Sequence, residues 1–128
     1  MRVRDAMSGS VVTVGPAHTL RAAARAMSAR RVGAAVILDA DGSGPGILTE
    51  RDLLDALAAG HDPDLETVAA HLTRDAVVVD PDWSLDEAAA AMLRGGFRHL
   101  VVTEKGETVG VLSVRDVLRH WSRTRAVL

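Results

Sequence analysis

Cysteine is absent from this 128-residue chain, and aromatic side chains are almost absent. Without cysteine there is no disulfide framework, no cysteine-ligated zinc or iron–sulfur site and no thiol nucleophile. The aromatic residues are Trp83, Phe97 and Trp121, 2% of the chain. So few rings leave no platform for stacking nucleic-acid bases and predict a core of aliphatic side chains.

Long apolar runs and an excess of one charge are also missing. Lys and Arg number 15 against 17 Asp and Glu, and the pI near 6.2 gives no basic footprint for nucleic acid. No apolar run approaches the roughly 18 residues that cross a bilayer, and the charged start lacks the apolar stretch of a signal peptide. We therefore expect a soluble, cytoplasmic protein with no membrane partner and no nucleic-acid partner.

An internal repeat is the most informative feature that is present. Shifting the sequence by 65 residues in its first part and by 64 in its later part aligns Pro16 with Pro81, Met27 with Met92, Gly46 with Gly110, and Arg51-Asp52 with Arg115-Asp116. Matches of Pro, Met, Gly and an Arg-Asp pair in order are not an accident of an Ala- and Val-rich composition. We expect a first repeat over 1–60, a linker over 61–66 and a second repeat over 67–128 with a basic last helix, together one globular module.

Each repeat has the same predicted order of elements, β-α-β-β-α. A short helical turn precedes a β-branched strand, Val11–Val14 or Val77–Val79, and a helix, two strands and a final helix follow. This order predicts a mixed α+β fold. One repeat is too short to bury both faces of a three-stranded sheet, so we expect the two to pack sheet to sheet about a pseudo-twofold axis.

The segments Thr49–Asp52 and Ser113–Asp116 lie where a strand ends and a helix begins. One interpretation is a capping box, in which the hydroxyl and the carboxylate satisfy backbone N–H groups of the first turn. The other is a phosphate site at a helix N-terminus, with a hydroxyl donor, a carboxylate for a ribose diol and a glycine that lets a ligand approach the backbone. The glycines are Gly46 and Gly110, and the adjacent cations are Arg51 and Arg115.

Gly46–Leu54 and Gly110–Leu118 resemble the signature of the CBS-domain pair, or Bateman module. The resemblance extends over about residues 2–120 and implies a regulatory adenosine-nucleotide sensor rather than an enzyme, with no obligatory cofactor. It implies AMP, ADP, ATP or S-adenosylmethionine as the ligand, bound in two clefts between the repeats.

The resemblance also implies roles for individual residues. The hydroxyls of Thr49 and Ser113 would contact phosphate, and the carboxylates of Asp52 and Asp116 would hold the ribose hydroxyls. The positions that would border the adenine are Val12, Thr13, Val77 and Val78.

Arg98 and His99 resemble the basic pair of the family, although Val101 stands where many members have proline. The first repeat has Gly33-Ala34 at the equivalent place. Because a phosphate discriminates between sites that differ in positive charge, we expect one dominant nucleotide site per chain.

Other interpretations stay open. The chain could be a ligand-free dimerisation and protein-interaction module, and the apolar residues of the last helix in each repeat predict a homodimer arranged as a four-repeat disc. Arg115, Arg119, Arg123 and Arg125 form either a solvated face or a contact for an acidic partner or nucleic acid. The five histidines lack i,i+4 spacing and a His-Glu-x-x-His pattern, so the sequence predicts no metal site, and no catalytic set can be recognised.

Overall fold

The structure, a computed structural model, describes residues 1–38 and 44–126, with side chains described as far as residue 122. The longest helix in the described ranges has 13 residues, and no helix there combines the length and apolarity needed to cross a bilayer. The elements in chain order are α1 (Val3–Ala6), α2 (Leu20–Arg30), β1 (Ala34–Ile37), β2 (Gly46–Thr49), α3 (Glu50–Ala58), a 3₁₀ turn (Val68–Ala70), β3 (Val78–Val79), α4 (Leu85–Gly95), β4 (His99–Glu104), β5 (Glu107–Ser113) and α5 (Val114–Ala126).

The chain divides into two compact units whose boundaries differ from those of the sequence repeats. The middle unit is Val12–Ala76, and the composite unit joins Met1–Val11 to the chain from Val77 onward. The segment that opens each repeat therefore belongs to the compact unit built mainly from the other repeat.

The middle unit contains an antiparallel pair of strands. β1 and β2 pair along their whole length, from Ala34 opposite Thr49 to Ile37 opposite Gly46. All four residues of β1 are buried, as expected for a strand covered on both faces.

The prediction of a strand over Val11–Val14 is wrong in extent. It forms one parallel bridge, between Thr13 and Val36. Its two backbone hydrogen bonds run from the Val36 N–H to the Val12 carbonyl at 2.9 Å and from the Val14 N–H to the Val36 carbonyl at 3.1 Å. Pro16 follows at once, and because proline has no N–H and a fixed φ, the ladder cannot extend.

The composite unit contains a three-stranded sheet in the order β3-β4-β5. β3 is parallel to β4, with Val78 opposite Val101, and β4 is antiparallel to β5, with His99 opposite Ser113. The hairpin between β4 and β5 turns at Lys105–Gly106, both with positive φ, 52° and 80°. This is the backbone that a two-residue hairpin turn requires.

Residues 1–8 and 66–73, which we call the entry segments, are attached by equivalent backbone hydrogen bonds. Each begins with a carbonyl that accepts from the first residue of a helix and ends in an antiparallel bridge to a strand. In the composite unit the N–H to carbonyl bonds are Leu85 to Met1, Val3 to Trp83 and Arg4 to Pro81, each at 2.9 Å. In the middle unit they are Leu20 to Glu66 at 3.0 Å, Val68 to His18 at 2.8 Å and Ala69 to Pro16 at 2.9 Å.

Each unit has its own aliphatic core, and an entry segment contributes to both. Val3 and Val68, one from each entry segment, are fully buried. The core of the composite unit includes Val3, Leu85, Met92, Leu100 and Leu112, and that of the middle unit includes Leu20, Ile37, Leu48, Ala56 and Val68.

Exposed ion pairs reinforce these attachments. The Arg4 guanidinium donates to Asp82 Oδ1 from Nη2 at 2.7 Å and from Nε at 2.9 Å, and Arg21 pairs with Asp64 in the middle unit. Hydrogen bonds from these arginines hold the pKa values of Asp82 and Asp64 below the usual range. Because both pKa values are lowered, the pairs stabilise the fold at neutral pH, and this contribution is lost as the pH falls through the lowered pKa values.

The two glycines of the signature segments lie against the entry segments. A β-carbon on Gly46 would approach Leu72 Cδ1 at 2.8 Å, and one on Gly110 would approach the Ser8 carbonyl oxygen at 2.8 Å. The chain itself therefore fills the space beside both glycines, which gives them a packing role.

We expect Gly110→Ala to lower the free energy of unfolding by about 1–3 kcal/mol, the usual cost of overpacking. The loss should be smaller for Gly46→Ala, since the Leu72 methyl group can move whereas the Ser8 backbone is hydrogen-bonded on both sides to Val111. Urea denaturation of the purified variants measures both effects.

Gly9→Ala is the matched control, because a β-carbon there would meet nothing closer than 4.0 Å. A Gly110→Ala variant as stable as Gly9→Ala would contradict the packing role.

Candidate functional site

Both signature segments form capping boxes. The Thr49 hydroxyl accepts the Asp52 N–H at 3.2 Å and the Asp52 carboxylate accepts the Thr49 N–H at 2.9 Å. Ser113 and Asp116 repeat the arrangement at 3.1 and 2.9 Å. The structural interpretation of these segments is therefore confirmed, and it accounts for the start of α3 and of α5.

The helix N-termini are less open to an anion than the sequence suggests. The first N–H of α3, on Glu50, donates to the Gly33 carbonyl at 3.0 Å, and that of α5, on Val114, donates to the Arg98 carbonyl at 2.9 Å. Together with the capping boxes, these bonds satisfy the other N–H groups of each first turn. Among the residues described, the first-turn donors that remain without a hydrogen-bond partner of this kind are the N–H of Arg51 in α3 and that of Arg115 in α5. An anion here would depend on side chains more than on backbone groups.

The caps still leave groups for a ligand. A hydroxyl that accepts a hydrogen bond can donate its own proton, and a carboxylate has two oxygens. Thr49 and Ser113 keep their O–H donors, and Asp52 and Asp116 use only Oδ2 in the boxes. Capping and ligand binding are thus compatible at the same residues.

The predicted residues of each unit are spread along its strands, from the end that holds the signature hydroxyl toward the middle. In the composite unit β5 ends at Ser113 opposite His99, where β4 begins. The Val77 carbonyl, just before β3, accepts the Val101 N–H near the same end. In the middle unit Thr49 lies opposite Ala34, and Thr13 bridges to Val36.

Val77 and Val78 are 45% and 43% exposed. Exposed apolar side chains suit the apolar part of a ligand. Thr13 is exposed at the equivalent position of the middle unit, whereas the side chain of Val12 is buried in the core.

Gly46 and Gly110 lie away from this end. Gly46 is opposite Ile37, at the far end of β2 from Thr49. Three residues of extended chain span roughly 10 Å, so the signature glycines lie at the other end of the strand from the signature hydroxyls, and their contact with a ligand stays a prediction.

The two units differ in charge at equivalent positions. The carbonyls of Gly33 and Arg98 accept equivalent helix N–H groups, and Ala34 and His99 lie opposite the two signature hydroxyls. The equivalence predicted from the repeat is therefore correct, and it places the basic pair next to Ser113 and Asp116.

Arg98 and His99 leave the chain in different directions. Successive residues of an extended strand point to opposite faces of a sheet. His99 is half-buried and cross-strand to Ser113, whereas Arg98 is exposed and lines a groove of about 330 Å³ with Leu93, Phe97 and Trp121. The long arginine side chain therefore has apolar neighbours in this groove.

A cluster of potential metal ligands was not found by sequence reasoning. His61, Glu66 and His71 place one ligand atom each within 4.8 Å of one another. An i,i+4 spacing cannot identify these residues, because they lie in three separate turns rather than in one helix. The sequence did hold one indication of the cluster: His61 and Glu66 lie in the predicted linker, and His71 lies shortly after it.

A protein-family model described as CBS domain matches residues 3–59 and 68–123. The chain belongs to the CBS-domain family. The resemblance based on the two signature segments is confirmed, as is the mixed α+β fold with two CBS repeats.

Individual relatives are similar over most of the chain. Hypoxic response protein 1 of Mycobacterium tuberculosis is 37% identical over 119 residues, which are 91% of this chain and 82% of that protein. A crystal structure of Hypoxic Response Protein I with two coordinated zinc ions has a TM-score of 0.76 and 33% identity, covering 94% of this chain and 98% of that one.

A second solved structure is the CBS domain protein PAE2072 from Pyrobaculum aerophilum, complexed with AMP. It has a TM-score of 0.81 and 30% identity, covering 96% of this chain and 99% of that chain. Other curated relatives are much longer, and the chain spans only 20% of one CBS domain-containing protein of Arabidopsis thaliana.

Thr49→Ala should lower the free energy of unfolding by about 1 kcal/mol, because the first turn of α3 loses its cap. Ser113→Ala should do the same at α5. Thr49→Ser keeps the hydroxyl and is the matched control. Equal urea midpoints for Thr49→Ala and Thr49→Ser would contradict a stabilising cap.

Proposed function

We propose that this CBS pair is a regulatory module that binds an adenosine nucleotide, and that it signals through a change of conformation or of partner contacts rather than through catalysis. The observation that carries the proposal is the AMP bound to a CBS protein that matches 96% of this chain at 30% identity. The candidate ligands are AMP, ADP, ATP and S-adenosylmethionine.

The composite unit offers the better set of nucleotide contacts. The Ser113 hydroxyl would donate to a phosphate, and Val77 and Val78 would border the adenine. The Asp116 carboxylate would accept from the ribose hydroxyls at Oδ1, in place of the exposed Arg119 guanidinium, whose Nη1 lies 3.5 Å from that oxygen. Asp116 is suited to this task because its side chain is 13% exposed, and a charge-assisted hydrogen bond is stronger where water is partly excluded.

The middle unit offers a weaker set. It has Thr49 and Asp52, but Gly33 and Ala34 replace the basic pair, and Arg51 lies near Asp55, 3.8 Å from Nη1 to Oδ1. We infer that the residues of the composite unit form the dominant nucleotide site. Its additional positive charge would come from Arg98, whose long side chain would turn from the groove toward the phosphate, and from the protonated form of His99.

Calorimetric titration with AMP, ATP and S-adenosylmethionine tests this proposal. Asp116→Asn should keep much of the capping box yet lower the affinity for the nucleotide roughly tenfold or more, which corresponds to the loss of about 1.5–3 kcal/mol from one charged hydrogen bond. Arg98→Ala should also weaken binding.

Lys105→Asn is the control for Arg98→Ala, because it removes one positive charge from the opposite end of the same sheet. Asn also tolerates the positive φ at that turn. Two equal sites per chain, both unaffected by Arg98→Ala and Asp116→Asn, would refute the dominant site. No heat and no thermal shift with any of the three ligands would favour the second candidate, a ligand-free interaction module.

A homodimer is the second part of the proposal, and exposed apolar residues on two helices support it. Leu54 and Leu57 on α3 are 54% and 56% exposed, and Leu118 and Trp121 on α5 are 56% and 39% exposed. Leu53 and Val117 of the same helices pack into the cores. A patch of apolar side chains exposed to solvent usually marks a protein–protein interface. The side chains of Arg123 and Arg125, from the predicted basic face, lie outside the described residues.

Light scattering at micromolar concentration should report twice the chain mass of 13.5 kDa. Leu118→Asp should shift the mass toward that of one chain, because it buries a carboxylate in the interface. Leu65→Asp, at a residue that is 76% exposed outside these helices, should leave the dimer intact. A wild-type mass near 13.5 kDa would overturn the dimer.

A further inference from the structure

Two histidines and one glutamate converge in the middle unit, at the end of α3 and beside the 3₁₀ turn. His61 Nδ1 lies 2.8 Å from Glu66 Oε1, and His71 Nε2 lies 3.0 Å from the same oxygen. The two imidazole rings are 4.9 Å apart and nearly perpendicular, at 69°. A single carboxylate oxygen therefore faces two imidazole nitrogens.

The backbone holds each of these residues in place. The His61 N–H donates to the Ala56 carbonyl of α3 at 3.1 Å, and the His71 N–H donates to the Val68 carbonyl at 3.0 Å. The Glu66 N–H donates to the Asp62 carbonyl at 2.9 Å. Three turns with hydrogen-bonded backbones thus bring three ligand atoms within 4.8 Å of one another.

Burial differs across the cluster in a way that suits an open metal site. The side chain of His71 is 15% exposed, that of Glu66 is 31% exposed and that of His61 is 46% exposed. One side of the cluster packs on the unit and the other side reaches solvent, so an ion can enter and a water can complete its coordination.

The repeat shows that the fold does not require these residues. At the shift of 65 residues, the positions of the composite unit equivalent to Glu66 and His71 are Met1 and Ala6. The Met1 carbonyl accepts the Leu85 N–H just as the Glu66 carbonyl accepts the Leu20 N–H. The cluster is therefore an addition to the repeated architecture rather than a part of it.

We propose that His61, Glu66 and His71 form a binding site for a divalent transition-metal ion, with Zn²⁺ the best match. Two imidazoles and one carboxylate are a common zinc ligand set that leaves the fourth position to water. Bonds of about 2.0–2.1 Å place tetrahedral ligand atoms roughly 3.3 Å apart, a few tenths of an ångström more than the two nitrogen–oxygen distances. The bound ion would fasten the linker to the end of α3.

Zinc chloride titrated into the full chain, after chelator treatment and dialysis, tests the site by calorimetry and by thermal unfolding. We expect one equivalent per chain and a rise in melting temperature. We expect zinc binding to be more than tenfold weaker in each of the variants His61→Ala, His71→Ala and Glu66→Gln. Even the loss of a residue that only hydrogen-bonds a metal ligand lowers metal affinity 10–100-fold.

Two further measurements make the result decisive. Glu66→Gln is close to isosteric, and its circular dichroism should match that of the wild type, so its loss of zinc binding is not a loss of fold. His120→Ala removes a histidine from the composite unit and should bind zinc as the wild type does. The site is overturned if the wild type takes up no zinc, or if the three cluster variants bind it as well as His120→Ala does.

Discussion

The backbone hydrogen bonds of the entry segments are the constraint on which the rest of the structure depends. Residues 66–73 complete the middle unit and residues 1–8 complete the composite unit, in the same register. Each segment buries one valine, Val3 or Val68, in a core formed mainly by the other repeat. Neither repeat is therefore a self-sufficient folding unit, because the groups that satisfy its helix start and its sheet edge are supplied from elsewhere in the chain.

The entry segments also explain features of the signature other than its proposed contacts with a ligand. Gly46 and Gly110 are glycines because an entry segment passes close beside each. The hydroxyl and the carboxylate at the other end of the strand cap the helix. A motif that looks like one binding element thus combines a packing contact, a helix cap and, in our proposal, the polar contacts of a nucleotide.

Differences between the repeats indicate where function has been added to the shared architecture. His99 stands opposite a signature hydroxyl where the first repeat has Ala34. Glu66 and His71 stand where the composite unit has Met1 and Ala6. Because the backbone is equivalent at these positions, the side chains there are not dictated by packing alone. The nucleotide and metal proposals both rest on positions of this kind, but in different units, so each can fail without the other.

The repeat, the order of the elements, the aliphatic core and the capping residues could all be predicted from the sequence alone. These features depend on local propensity and on the periodicity of apolar residues, which neighbouring residues in the chain determine. The positions of Arg98 and His99 relative to Gly33 and Ala34 followed from the repeat in the same way. The resemblance of two nine-residue segments was enough to predict the family.

Tertiary structure alone decided which segment completes which unit, and with it the role of the two glycines. It also reduced the strand at Val11–Val14 to a single bridge and brought His61, Glu66 and His71 together. In each case the outcome depends on contacts between residues far apart along the chain or in separate turns. No periodicity or local spacing records such contacts, because they are set by the path of the backbone between the elements.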